Sequence, residues 1–167
     1  MNWDALGAIS ELTAALAFLV SFLFVGHQLR QNREMERASN QREILNQARS
    51  FFSLTRSDLR ILVAVSECMR DYATANQEKK HIFNMWVVDY MLLVEQAWYM
   101  RRDGYINAAS YDGFENLCLA MFATEGGQAV WPRLKASWGR DASEHFEKRL
   151  LESGADSPKL YDLLPYL

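Results

Sequence analysis

The sequence contains little that would interrupt a helix and little that would support a disulfide framework. Among its 167 residues are three prolines, eight glycines and two cysteines. So few helix-breaking residues favour long helices over a strand-rich fold. Cys68 and Cys118 lie in apolar helical patterns, and their spacing matches no disulfide or metal framework. We therefore expect free structural thiols in a reducing compartment.

The chain also lacks features typical of nucleic-acid-binding proteins and of the common enzyme classes. Its formal net charge is −3 and it has no basic block, which argues against nucleic acid as a partner. It contains no phosphate-binding loop, no Gly-x-Ser-x-Gly motif and no Cys/His pairing. Glu78 and His81 form a single Glu-x-x-His, whereas a di-iron bundle needs two. We therefore predict no enzyme activity, no catalytic residue, no cofactor and no metal site.

The most prominent feature that is present is a long apolar run near the start of the chain. Residues 5–26 hold one charged residue, Glu11. As a helix the run would be about 33 Å long, enough to cross a bilayer core of about 30 Å. A signal peptide is disfavoured, because the preceding residues are acidic and no small-x-small cleavage site follows. A buried helix of a soluble domain is the other alternative, since Ser10, Thr13 and Ser21 dilute the hydrophobicity. We predict a transmembrane helix.

Charges on the two sides of this run predict its orientation. No Lys or Arg precedes it, whereas Arg30, Arg33, Arg37 and Arg42 follow it. The positive-inside bias then places the short N-terminus outside and the rest of the chain in the cytoplasm. Trp3, Arg30 and Arg33 are the predicted interfacial anchors. The expected location is the inner (cytoplasmic) membrane, crossed once.

A helical wheel divides the run into two faces. At 100° per residue, the small residues gather on the side of the one charge. We call this side the small-residue face and define it by Gly7, Glu11, Ala14, Ala15, Phe18 and Phe22. Small residues let helices approach closely, and a carboxyl group in lipid needs a polar partner. We expect this face to pack against another helix, most simply a copy of itself. The alternative is a monomer whose Glu11 snorkels to the outer interface.

The same region resembles a known group of proteins. The residues that carry the resemblance are Trp3, Leu6-Gly7-Ala8-Ile9, Glu11-Leu12, Ala14-Ala15, Ser21 and Gln28-Leu29-Arg30-Gln31-Asn32. Over residues 3–33 the chain resembles uncharacterised bacterial single-pass membrane proteins with an N-terminal Trp, a Gly-x-x-x-Glu-Leu helix and a Gln-(Ile or Leu)-Arg-Gln-Asn membrane exit. The resemblance implies an anchored helical protein of unknown function and brings no catalytic residue.

Beyond the apolar run, the pattern predicts an all-α fold in which the transmembrane helix continues into a cytoplasmic bundle of about five helices. The predicted divisions are 1–29 for the tail and transmembrane helix, 30–43 for a polar juxtamembrane helix, 44–155 for the helical domain and 156–167 for a C-terminal tail. The chain either continues as one helix through 30–40 or breaks there.

Helix-terminal residues divide the domain further. Ser57 or Asp58 is expected to cap a helix over 59–70, and Asn107 one that ends near 122. The most apolar helix, 77–103, should be central. Gly126-Gly127 is interpreted as a break before a helix over 129–138, and Asp141 as the cap of 142–153.

Two carboxylates lie inside the apolar helix 77–103. Asp89 and Glu95 would need cations or hydrogen-bond donors if buried, and Arg101 is among the candidate partners. We predict buried structural ion pairs rather than catalytic acids, because no nucleophile or metal set accompanies these residues. His145 is interpreted as an ordinary surface histidine.

These features favour a membrane-anchored protein that acts as a homo-oligomeric assembly or scaffold protein, or as an accessory subunit. Its expected partners are the lipid bilayer and either copies of itself or another membrane protein. The alternative is a small oligomeric cation channel with a ring of Glu11 and a constriction at Phe18 and Phe22. An enzyme or small-ligand sensor has no support from individual residues.

Overall fold

The computed structural model describes residues 3–154 and 157–163, and these residues form an all-α fold without strands. The elements in order are α1 (Trp3–Ser57), α2 (Leu59–Arg70), α3 (Gln77–Arg102), α4 (Ala108–Phe122), α5 (Glu125–Leu134), a 3₁₀-helix (Lys135–Ser137), α6 (Arg140–Ser153) and α7 (Leu160–Leu163). The predicted fold class is confirmed. The chain divides into two compact units, Met1–Ser39 and Asn40–Leu167.

The first unit consists of the N-terminal part of α1. Every side chain that the structure describes in it is exposed within the chain. The hydroxyls of Thr13 and Ser21 donate to the carbonyl oxygens of Ile9 and Ala17, each at 2.8 Å. These bonds satisfy the two polar groups within the helix itself. Helix α1 runs without a break to Ser57, so the continuous alternative for residues 30–40 is the one observed.

The core of the second unit is organised around α3, as predicted. Helix α3 contacts α2, α4 and α6. Its buried residues are Phe83, Trp86, Val87, Tyr90, Met91, Leu93, Val94 and Ala97. The C-terminal end of α1 joins this core, because the Phe51 ring packs on Trp86 and Tyr90 at centroid distances of 5.3 and 5.8 Å. The Trp86 indole N–H donates to Thr55 Oγ1 at 2.8 Å in the buried interior.

Side-chain caps begin several of the helices. Asp58 Oδ1 accepts a hydrogen bond from the Arg60 N–H at 2.9 Å, and Asn107 Oδ1 accepts one from the Ser110 N–H at 2.8 Å. These caps satisfy backbone donors that have no partner within the helix. The helix starts predicted from Asp58 and Asn107 are confirmed.

Two predicted boundaries are wrong. The Gly126-Gly127 pair does not break the chain: it lies in the first turn of α5, which Thr124 caps by accepting from the Gly127 N–H at 3.0 Å. Helix α6 begins at Arg140, with Gly139 as its N-cap residue, so Asp141 lies within the first turn and is not the cap.

Close packing explains why glycines occupy this first turn. A Cβ atom on Gly126 would overlap the backbone carbonyl of Cys68, at the contact with α2. One on Gly127 would overlap the backbone carbonyl of Met121 in α4. Because neither glycine has a side chain, the first turn of α5 can lie close to α2 and α4 at once. The two glycines keep helical backbone while they do so.

Part of the predicted C-terminal tail packs against the second unit. Within residues 157–163, Leu160 is buried in the core and α7 contacts α4. The Arg70 guanidinium lies 4.6 Å from the centroid of the Tyr161 ring. Asp156 and residues 164–167 of this predicted segment lie outside the described residues.

The contacts of the glycines predict that replacing glycine by alanine changes the free energy of unfolding in opposite directions at two positions. Gly126→Ala should lower the free energy of unfolding by about 1–3 kcal/mol, because its methyl group meets backbone atoms that cannot move aside. Gly113→Ala in α4 is the matched control, since nothing lies within 4 Å of its Cβ position. That change should raise stability by about 0.5–1 kcal/mol. Urea unfolding of the full-length protein in detergent, followed by tryptophan fluorescence, measures both. Equal effects of the two substitutions would contradict the packing described.

Candidate functional site

The first candidate surface is the small-residue face of α1. Within the described residues, one helix, Gly7–Ser57, is long and apolar enough to cross a membrane by length and composition. None of its most apolar 18-residue window is buried within the chain. The rings of Phe18 and Phe22 stack at a centroid distance of 6.5 Å and an interplanar angle of 25°.

Helical geometry brings together the six residues that define this face. All six are exposed, and apart from the nearby backbone of α1 itself nothing lies within 4 Å of the Cβ position of Gly7. No part of the described chain therefore covers the small-residue face, which leaves it available to lipid or to another helix.

The predicted interfacial residues are all exposed. Trp3 is near the start of α1, and Arg33 follows the apolar run. Arg30 Nε lies 3.6 Å from Glu34 Oε1, one turn further along the helix. An exposed pair of this kind contributes about 0.3–0.5 kcal/mol to the helix.

The predicted buried ion pairs of α3 are not present. Asp89 and Arg101 are both exposed. Glu95 is half-buried, but its Oε1 accepts a hydrogen bond from the Gly139 backbone N–H at 2.7 Å. Gly139 is the N-cap residue of α6, and it has no side chain that could cap the helix. Glu95 therefore supplies the negative charge that favours a helix N-terminus.

The buried carboxylate of the domain is Glu115 on α4, which is 7% exposed. Its Oε1 lies 2.6 Å from His145 Nε2, and its Oε2 accepts from Arg149 Nη2 at 3.2 Å. The Tyr111 hydroxyl lies 3.5 Å from Oε1 and completes the set. We call these four residues the Glu115 cluster. The interpretation of His145 as an ordinary surface residue is wrong.

Burial and the charge of Glu115 act on the neighbouring ionisable groups. Burial raises the pKa of Cys118 well above its ordinary value, and the negative charge of Glu115 raises it further. The pKa of Tyr111 is raised by the same two causes. Both groups are therefore neutral at physiological pH, and the carboxylate is matched by the Arg149 guanidinium.

The geometry of the Glu115 cluster is that of a structural clamp between α4 and α6. Both carboxylate oxygens are engaged by side chains of α4 and α6. Within residues 3–154 and 157–163, no group of three or more His, Cys, Asp or Glu side chains is placed to hold a metal ion.

Sequence spacing did contain a signal for the Glu115 cluster. Glu115 lies four residues after Tyr111 and three before Cys118, so it falls on the apolar face of α4. Its partners are 30 and 34 residues away in the sequence, and local spacing cannot identify them.

Comparisons with protein families, curated proteins and solved structures found no match to this chain. The resemblance of residues 3–33 to anchored bacterial proteins therefore stays a prediction.

The Glu115 cluster predicts an asymmetric response to two neutralising substitutions. Glu115→Gln should lower the free energy of unfolding by about 1.5–3 kcal/mol, because it removes a buried charge that Arg149 and His145 contact. Glu152→Gln removes an exposed partner of the same arginine, 3.1 Å from its Nη1. Its effect should stay below about 1 kcal/mol. Chemical unfolding at pH 7 compares the two variants, and equal losses would contradict a structural clamp at Glu115.

The raised pKa of Cys118 predicts a loss of stability at alkaline pH. A buried neutral thiol gives its full contribution below the unfolded-state pKa of about 8.5 and loses it as pH rises further. Above about pH 9, the free energy of unfolding of the wild type should therefore fall more steeply than that of Cys118→Ala, by about 1.4 kcal/mol per pH unit. Met121→Leu alters a buried neighbour without removing an ionisable group and should keep the wild-type slope. Parallel slopes for wild type and Cys118→Ala between pH 8 and 10 would refute the assignment.

Proposed function

We propose that this chain is a membrane-anchored assembly protein, whose first unit crosses the bilayer once and associates with copies of itself. The observation that carries the proposal is the apolar part of α1, which nothing in the described chain covers. Exposed apolar surface in water is unfavourable by about 25 cal/mol per Å². A bilayer would cover the bulky face, and a second helix would cover the small-residue face.

Polar groups within α1 support the same assignment. Thr13 and Ser21 already donate to backbone carbonyls of the helix, so neither hydroxyl opposes burial in lipid. Glu11 carries the one charge in this stretch, and a carboxyl group there favours a protein partner. Association through Gly7, Ala14 and Ala15 would place that partner next to Glu11.

The exposed arginines after the apolar run support the proposed orientation. Arg30 and Arg33 belong on the cytoplasmic side by the positive-inside bias, which places the second unit in the cytoplasm. This unit would then act as the assembly domain or as the accessory part of a larger complex. The inner membrane of a bacterium is the proposed location.

The channel alternative is favoured by one observation, the stacked Phe18 and Phe22 rings on the side of Glu11. A conducting lining needs groups that water can wet, and Glu11 is the one charge on that face. We therefore retain self-association as the proposed function.

The proposal predicts a face-dependent crosslink. Single cysteines at Ala14 and Ala15 should give dimers on oxidation in membranes, at a yield at least tenfold above that of Val20→Cys. Val20 is the matched control, because it lies 180° from Glu11 on the helical wheel (100° per residue). The native Cys68 and Cys118 are buried and will not contribute. Equal yields at the three positions, or no dimer at any, would overturn the proposed interface.

A further inference from the structure

An open apolar groove lies on the second unit between the end of α1, the start of α2 and α3. It encloses about 390 Å³, and its apolar walls include Leu54, Ile61, Ile82 and Met85. Trp86 and Thr55, which share a buried hydrogen bond, also line it. Part of the wall, at Trp86 and Thr55, therefore belongs to the packed core.

The apolar surface of this groove continues beyond its rim. Leu54 is 62% exposed and Met85 is 51% exposed. Ile82 and Arg60 also line an adjoining depression together with Leu59, which is 71% exposed. Single exposed leucines are ordinary on protein surfaces, whereas a continuous apolar patch of this kind marks an interaction surface.

Charges of both signs flank the groove. The Arg60 side chain on α2 is 81% exposed, although Asp58 Oδ2 lies 3.0 Å from its Nη2. Asp89 on α3 is exposed on another wall of the same groove. A surface that carries both signs around an apolar centre can pair with a second copy of itself across a two-fold axis, because the positive group of each copy can then meet the negative group of the other. A nucleic acid or an anionic membrane would instead require an excess of positive charge.

We propose that this groove is a second self-association surface, on which a second copy of the chain docks with Arg60 of each copy facing Asp89 of the other. The proposal rests on the proposed function, because copies joined through α1 in one membrane meet at a high effective concentration. A groove of modest size is then sufficient to bring the second units together.

The test uses the full-length protein in membranes, with a cysteine at the exposed groove residue His81 and a flexible bismaleimide. We expect a dimeric product for His81→Cys. Adding Met85→Lys should reduce it at least tenfold, since the lysine places a charge in the apolar centre. Leu151→Lys, at an exposed leucine outside the groove, is the matched control and should leave the yield unchanged. Circular dichroism establishes that each variant is folded, and Leu54→Lys serves as a second groove variant.

Charge reversal tests the orientation of the two copies. Arg60→Glu and Asp89→Arg should each lower the His81→Cys crosslink several-fold, and the double variant should restore it. A crosslink that is insensitive to Met85→Lys and Leu54→Lys would overturn the docking surface, and absence of restoration in the double variant would overturn the two-fold pairing.

The crosslink at Ala15→Cys distinguishes this proposal from the one on which it rests. If Ala15→Cys gives dimers and His81→Cys does not, the groove is not an interface while the association of α1 stands. If only His81→Cys gives dimers, sensitive to Met85→Lys, the groove is an interface and the association of α1 is wrong. Absence of both products would overturn both proposals.

Discussion

Helix α3 carries large apolar side chains around most of its circumference, so it is stable only when other helices cover it on several sides at once. Helices α2, α4 and α6 meet this requirement, and Phe51 from α1 covers part of the remainder. Each large side chain buried in this way contributes about 1.5–3 kcal/mol. Polar atoms limit the arrangement further: the Trp86 and Trp138 indole N–H groups must find acceptors, which are Thr55 Oγ1 and the Met91 carbonyl oxygen. The positions of the C-terminal end of α1 and of the segment before α6 are thus linked to the burial of one helix.

The sequence was most informative where a local rule determines structure. Asp58 and Asn107 predict helix starts because their side chains bond backbone donors two or three residues ahead, and no distant part of the chain is involved. Gly126 and Gly127 show the limit of such rules. A glycine pair is compatible with a chain break or with a close helix contact, and here the backbone of Cys68, nearly sixty residues earlier, decides between them. The start of α6 differed for a similar reason, since the N–H of its N-cap residue, Gly139, donates to Glu95 from α3.

The carboxylates illustrate the same limit in the candidate site. The sequence of a largely apolar helix does not reveal which of its residues face solvent, and the exposed residues of α3 include Asp89 and Arg101. On α4, Glu115 lies between the buried residues Tyr111 and Cys118, so its position was informative in principle. Its partners His145 and Arg149 come from α6, and only the packing of α4 against α6 brings them within bonding distance. The sequence could therefore predict that a buried carboxylate needs partners. Which carboxylate is buried, and which residues contact it, depended on tertiary structure.

Two surfaces of this chain lack a partner within the described residues, and we propose that each binds a second copy of the chain. Each alone is modest, since transmembrane helices associate without a hydrophobic driving force and a groove of this size falls well short of a permanent interface. Because the two proposed contacts are linked in one chain, they would act together: the first would make the second intramolecular, and the combined affinity could exceed either by orders of magnitude. The same linkage would make the proposed assembly depend on confinement in the membrane. Chains outside a bilayer would lose this advantage, and their exposed apolar surfaces would then favour non-specific association over a defined complex.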